Sequence, residues 1–457
     1  MKQELDLTEG NILSKLIMLS LPIMGTAFIQ MAYSLIDMIW IGRLGSDEVA
    51  AVGTAGFFPW LGMAFVMISK IGGEIKVAQS IGEKNFDQAR KYALASLQII
   101  VLCAILYGFV LIFFNAPLVA FFNLGDENII NMAQTYLVII GVGMIFNFIN
   151  PVFTSIFNGS GDSQTPFIMN TIGLVFNIIL DPILIFGLVG FPALGVQGAA
   201  IATVTSQIVV TISFIIAMLI KKQSYFVLNI FVEPPIKEIK LVCKIGMPVA
   251  IQSGLFTIFA MVIGRIVAEW GPISIAVQKV GSQIESISWM TASGLYTALG
   301  SFVGQNYGAQ KFDRIESSVK ISVIMAIVTG IVATILLVFC GEFIFSLFIA
   351  NEPETLRQGV DYLKILGYSQ IFMCIEITVA GVFNGVNKTK IPSYINSVLT
   401  ALRIPFALIL SKPLGIDGVW WAVTITTIMK GIVIYAVYIK MKANKTLYTF
   451  KEEVNDF

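Results

Sequence analysis

Apolar runs of about twenty residues, broken by short polar turns, recur along the whole chain, and that length suits a helix crossing a bilayer. Stretches such as Ile99 to Phe114, Thr171 to Leu188 and Ile321 to Phe339 are nearly free of charge. The pattern predicts twelve helices, at 15-42, 50-75, 92-115, 132-155, 166-187, 196-220, 241-268, 273-300, 318-340, 360-382, 392-411 and 416-440. The longest polar stretch between them, 221-240, holds Lys221, Lys222, Pro234, Pro235, Lys237 and Lys240. It divides the chain into an N-terminal six-helix bundle (1-222), a cytoplasmic linker (223-240) and a C-terminal six-helix bundle (241-457). The expected fold is an all-α polytopic membrane protein of twelve transmembrane helices, in two six-helix bundles.

Composition makes this reading hard to avoid. Of 457 residues 56% are hydrophobic and 12% charged, about half the roughly 25% of soluble domains, so a soluble surface cannot be assembled. The 29 Lys and Arg against 28 Asp and Glu leave no basic surplus for nucleic acid. The absence of His removes imidazole acid–base chemistry and the HExxH zinc site. No GxxxxGK[ST] occurs, so the chain carries no Walker-type motor. Cys103, Cys243, Cys340 and Cys374 lack CxxC spacing and read as small membrane hydrophobes. The acidic, polar N-terminus has no small-residue cleavage site and does not read as a signal peptide.

Basic residues set the orientation. Lys84, Arg90, Lys91, Lys221, Lys222, Lys237, Lys240, Lys311, Arg314, Lys388 and Lys390 fall in loops on one side, with Lys440, Lys442, Lys445 and Lys451 in the tail. The other side holds little beyond Arg43, Arg357 and Lys412. By the positive-inside rule both termini are expected in the cytoplasm.

The two halves repeat each other. Val77-Ala-Gln79-Ser-Ile-Gly82-Glu-Lys-Asn-Phe86-Asp87 returns as Val303-Gly-Gln305-Asn-Tyr-Gly308-Ala-Gln-Lys-Phe312-Asp313, 226 residues on. The same offset aligns Pro22 with Pro248, Tyr136-Leu137 with Tyr362-Leu363, Phe157-Asn158-Gly159 with Phe383-Asn384-Gly385, and Pro166 with Pro392. An even number of spans per repeat gives both halves one orientation, a pseudo-two-fold along the membrane normal and a central cavity between the bundles. The duplicated Asn-Gly pairs read as tight turns in which glycine takes a positive φ.

In order and spacing, five elements together resemble the multidrug and toxic compound extrusion (MATE) transporters. They are Ser20-Leu-Pro-Ile with Asp37-Met-Ile-Trp-Ile-Gly42, the run from Gly159 to Pro166, Asn177-Ile-Ile-Leu-Asp181-Pro182, Gly198-Ala-Ala-Ile-Ala-Thr203, and Val303-Gly-Gln-Asn-Tyr-Gly-Ala309. The resemblance covers essentially the whole chain. It implies an antiporter that exports amphipathic, often cationic compounds against inward Na⁺ or H⁺, without a cofactor.

Charges inside spans mark where chemistry sits, because each costs about 2.5–3.5 kcal/mol on insertion scales. Asp37 lies in the outer half of the first span, and Thr26, Gln30 and Tyr33 share its helical face, a polar stripe expected to line the cavity. On the fifth span Asn177 and Asp181 are four apart, and Pro182 leaves the carbonyl of Ile178 without its helical donor. Such hard oxygen donors suit Na⁺, or a carboxylate that carries a proton. The resemblance carries the cation-site role to Asp37, Asn177, Asp181 and Thr203, with Asn150, ahead of Asn147, as a further donor. An alternative is a purely structural use, Asp37 capping a helix and Asp181 bonding nearby backbone.

At the 226-residue offset Asp37 meets Ile263, Asp181 meets Ala407 and Asn177 meets Arg403, so the cation site is expected in the first half alone. The second half has its own span charges, Glu285, Glu376, Arg403 and Lys430. These form either a paired structural network or a group in which Glu285 or Glu376 faces the cavity and meets substrate. The family's acid on the tenth span is displaced here, since Met373 holds the matching position. Met290, among 18 methionines, is a candidate for an adaptable cavity wall. The reading is a non-enzymatic, cation-coupled exporter of small molecules, a monomer in the plasma membrane. The alternative is a flippase of lipids or lipid-linked saccharides, disfavoured because the first half has almost no basic residue at mid-depth.

Overall fold

The computed structural model describes residues 6–230, 232–349 and 352–448, and every regular element among them is a helix. The first half runs α1 (Ile12–Gly42), α2 (Ser46–Ala55), α3 (Phe57–Gly82), α4 (Phe86–Phe113), α5 (Asn115–Ala120), α6 (Glu127–Gly159), α7 (Gln164–Phe186) and α8 (Val196–Lys221). The second runs α9 (Ile236–Ala268), α10 (Pro272–Gly308), α11 (Phe312–Phe339), α12 (Gly341–Ser346), α13 (Pro353–Gly367), α14 (Gln370–Gly385), α15 (Lys390–Ala401), α16 (Arg403–Leu414) and α17 (Ile416–Ala443). The repeat seen in sequence reappears in helix ends. α4 and α11 share both boundaries at the 226-residue offset, as do α5 and α12, and the ends of α1, α3 and α6 match those of α9, α10 and α14.

Ten helical stretches among the described residues are long and apolar enough to cross a bilayer, and the bent pair α13 and α14, meeting at 49°, makes an eleventh. The twelfth span-length helix is α10, with 37 residues. It is the least apolar of the set because Gln278, Lys279, Gln283, Glu285 and six serines interrupt it. Local chemistry starts α4 and α6 earlier than the expected 92 and 132, at Phe86 and Glu127. Asn85 Oδ1 accepts the Gln88 N–H at 3.1 Å to open α4, and Asp126 Oδ1 accepts from Asn128 and Ile129 to open α6. Between α3 and α4, and again between α10 and α11, the chain turns through a left-handed residue, Lys84 (φ 59°) and Gln310 (φ 58°).

The Asn-Gly pairs do a different job from the one expected. Gly159 and Gly385 end their helices, and the left-handed residues are Gly161 and Asn387, two positions on. What Gly159 supplies is closeness, since a Cβ there would stand 2.6 Å from the Glu74 carbonyl oxygen. The same device joins α3 to the start of α9, where a Cβ on Gly72 or Gly246 would collide with the carbonyls of Val242 or Ile68. Gly246→Ala is therefore expected to destabilise the protein by about 1–3 kcal/mol through overpacking. Thermal unfolding in detergent checks this; an unchanged midpoint would mean that α9 can shift freely.

The contacts do not divide the chain at the polar stretch. One compact unit comprises Leu21–Ala250, and the other Asp6–Ser20 with the chain from Ile251 on. The 223-240 stretch is built into the first unit because it contains aromatic residues as well as charge. Tyr225 and Phe226, 1% and 4% exposed, form a 3-10 turn. Tyr225 stacks on Phe86 at 5.9 Å and Phe226 lies against Phe157 at 4.4 Å. The Gln98 amide donates to the carbonyls of Ile230 and Val232, and Gln88 donates to Glu238.

The segment before α1 is held by the second unit. Leu7, wholly buried, donates its N–H to Gln305 Oε1 and accepts from Asn306 and Arg314. Lys311 donates to the Thr8 carbonyl and Arg314 to that of Gly10. Partial burial pushes the Asp6 carboxyl up, but hydrogen bonds from Thr8 and the ammonium groups of Lys311 and Lys15 hold it below the usual carboxylate range. Thus α1 begins in one unit and ends in the other, and α9 does the reverse, each changing unit beside its proline, Pro22 or Pro248.

Candidate functional site

Three helices of the first half bring the predicted oxygen donors together. The Thr203 hydroxyl on α8 donates to Asp37 Oδ2 on α1 at 3.2 Å, and the Tyr33 hydroxyl, one turn before Asp37, donates to the Thr203 carbonyl at 3.4 Å. On α7 Asn177 Nδ2 donates to Asp181 Oδ1 at 3.0 Å, with both side chains wholly buried. The Asp37 and Asp181 carboxyls lie within hydrogen-bonding reach of each other. Small residues permit the approach: Gly25 of α1 lies under the Phe167 ring of α7, where a Cβ would stand 2.5 Å from the ring.

The set is polar but unsatisfied. Asp37 Oδ1, Asp181 Oδ2 and Asn177 Oδ1 are buried and, among the described residues, have no hydrogen-bond partner. Buried polar atoms are rarely left so. Three unpartnered oxygens, two of them from carboxylates, are donors of the kind that a hard cation takes, and a single proton shared between the acids would also neutralise one charge. Two acids brought together without a cation repel strongly, so the arrangement itself calls for one positive charge.

Asn150 stands apart from this set. Its amide nitrogen donates to the backbone and side-chain oxygens of Gln207 at 2.9 and 2.8 Å, and its Oδ1 accepts from Thr211 at 2.7 Å. With each of those atoms already bonded it ties α6 to α8. Asn150→Ala is expected to lower stability by about 1–3 kcal/mol and leave any Na⁺ or pH response of the protein unchanged; a shifted ion response would return it to the site. Gln30 is exposed on α1, while Thr26 is buried and back-bonds to the Pro22 carbonyl at 3.0 Å. The stripe is therefore only partly open.

Tyr136 was missed by sequence reasoning. It is buried on α6 within Coulombic reach of both acids. Its repeat mate Tyr362 stands likewise beside Glu285 and Arg403. The duplicated Tyr-Leu pair carried that signal, since both copies place a buried phenol beside span charges.

In the second half Glu376 and Lys430 form an ion pair of 3.0 Å, 7% and 8% exposed. Glu376 is thus turned to Lys430 within its own bundle, which opposes the expectation that it faces substrate. Arg403 donates to the hydroxyls of Thr426 and Thr427 at 3.1 and 3.0 Å, within Coulombic reach of Glu376 and Glu285. Glu285 accepts from Gln370 at 3.2 Å, and Gln370 in turn accepts from Ser288. Two acids and two bases balance in one network, with Glu376 and Lys430 buried and Glu285 and Arg403 half-buried. Met290 is half-buried on α10.

A duplicated set of twelve span-length helices, with an unsatisfied acid pair in one half and a neutral charge network in the other, defines a polytopic membrane transporter. The MatE family model matches residues 22–183 and again 248–409, two segments offset by the same 226 residues. The chain belongs to that family of transporters, which are not enzymes. The probable multidrug resistance protein NorM of Thermotoga maritima is 26% identical over 446 residues, covering 97% of this chain and 95% of the relative. An FAD transporter of Shewanella oneidensis is 26% identical over 428 residues, covering 92% and 93%. A crystal structure of MATE in the straight conformation superposes with a TM-score of 0.89 at 22% identity, covering 98% of this chain and all of the other.

Proposed function

We propose that this protein is a secondary antiporter that exports amphipathic, mainly cationic small molecules across the plasma membrane in exchange for Na⁺ or H⁺, by alternating access. It works as a monomer with both termini in the cytoplasm. The observation that carries this reading is the trio of unpartnered oxygens on Asp37, Asn177 and Asp181, buried in a family whose relatives include multidrug resistance proteins. Cation binding neutralises the acid pair, and substrate binds with higher affinity to the cation-free arrangement. A ligand shifts such an equilibrium only through unequal affinity for its states, and the charge of the pair supplies that inequality. Thr203 orients Asp37, and Asn177 orients Asp181, each leaving one carboxylate oxygen free.

Dye accumulation in intact cells expressing the protein tests the proposal, with the Na⁺ gradient and the pH gradient collapsed separately. Efflux that stops with one gradient names the coupling ion. Efflux indifferent to both would overturn antiport, and retention of every amphipathic dye would overturn multidrug export.

A further inference from the structure

The C-terminal end of α9 and the N-terminal end of α10 flank an open cleft of about 180 Å³ lined by Gly264, Val267, Ile275, Gln278, Lys279 and Ser282. That is the liquid volume of about six waters. The four residues of α10 fall at intervals of three, four and seven from Ile275, on one helical face. Gln278 Oε1 is buried without a hydrogen-bond partner among the described residues. Lys279 is exposed, and no carboxylate lies three or four residues from it on α10, where Ile275, Ala276, Ser282 and Gln283 stand. Gly264 opens the opposite wall, since a Cβ there would meet no atom within 4 Å.

The repeat shows that the residues lining this cleft are particular to the second half. Met38 stands 226 residues before Gly264, and Val52, Gly53 and Gly56 stand before Gln278, Lys279 and Ser282. One copy has Met38, Val52 and two glycines where the other has a glycine, an amide, an ammonium and a hydroxyl. Seven residues into α10, Lys279 lies roughly 10 Å along the helix axis, shallow enough to reach headgroups by snorkelling. Snorkelling accounts for neither the unpartnered Gln278 oxygen nor the missing side chain at position 264.

Resting on the export reading, we propose that this cleft is a subsite for an anionic group, carboxylate or phosphate, carried by the exported compound. Lys279 supplies the counter-charge. Gln278 donates an amide N–H to the anion and accepts a hydrogen from a neighbouring hydroxyl or ammonium of the same molecule. The protein then accepts zwitterionic as well as cationic amphipaths.

The test is fluorescence anisotropy on purified full-length protein in neutral detergent, with two probes: a rhodamine bearing a free carboxylate, and the methyl ester of the same dye. The free acid is expected to bind roughly fivefold more tightly, the scale of an exposed ion pair, with the preference fading at high salt. Lys279→Gln should bring the ratio to about one without altering ester binding, and Lys279→Arg should restore it. Gly264→Leu, whose Cβ has room and whose longer side chain would project from that wall of the cleft, should weaken the free acid selectively. An equal affinity of wild type for the two dyes, or a ratio unchanged in Lys279→Gln, overturns the proposal. So does a variant that changes phosphatidylglycerol retention alone, which would make the cleft a lipid site. Failure of the export reading appears elsewhere, as cells that extrude neither dye while anisotropy still reports the preference.

Discussion

Asp37→Asn is expected to abolish gradient-driven dye efflux while leaving the protein folded in membranes, and Asp181→Asn to do the same. The substitution keeps shape and the bond from Thr203 but removes one of the two charges facing the unpartnered oxygens. A cation about 4 Å from a carboxylate gains about 4 kcal/mol at an effective dielectric constant near 20. Losing that interaction weakens cation binding on the order of a thousandfold. In the proposed site the two acids share one cation, so the double variant should be little worse than either single one, a departure from additivity that would mark a joint site. Efflux in everted vesicles at saturating and limiting Na⁺, and across a pH step, reads the loss. An Asp37→Asn protein that pumps at the wild-type rate and keeps its ion dependence would remove the acid pair from the mechanism. The design also separates coupling from folding, since size-exclusion behaviour and thermal midpoint should hold.

Lys430→Met is expected to have the largest effect on stability, about 3–5 kcal/mol, because it leaves the buried Glu376 carboxyl without its cation. Arg403, engaged by Thr426 and Thr427, is too constrained to replace it at bonding distance. Removing both charges is a different experiment. The Glu376→Leu, Lys430→Met double variant should recover most of the loss, since a well-packed apolar pair commonly equals or exceeds a buried ion pair. Thermal unfolding of the two single variants and the double one measures this as a cycle. If the double variant is stable yet inactive in efflux, the pair takes part in transport; if stable and active, its role is structural. A double variant no better than the singles would mean that the rest of the network depends on the charges themselves.

Much of the architecture was legible because it is local. Span length, the proline positions, the acid on α1 and the Asn177 to Asp181 spacing depend only on residues within one helix, whose rise and rotation are fixed. The 226-residue repeat extended this across the chain, and helix ends as distant as Phe113 and Phe339 confirm it. The offset also holds a correspondence that becomes informative only with coordinates: Glu376 stands 226 residues after Asn150. One copy ties helices with an amide and the other with a carboxylate, so the second half answered the added negative charge with Lys430.

Sequence by itself therefore determined the membrane class, the duplicated spans and the confinement of the Asp37 and Asp181 pair to the first half, because these are counts and periodicities along one coordinate. Only the tertiary structure decided which donor meets which acceptor. Asn150 turned to Gln207 and Thr211, Glu376 turned to Lys430, the aromatic pair Tyr225 and Phe226 made a linker into core, and Leu7 was buried in the second unit. Each of these choices depends on the rotation and axial offset of helices far apart in the chain. A rotation by one residue, about 100°, carries a side chain from one neighbour to the next, and no local pattern records that angle.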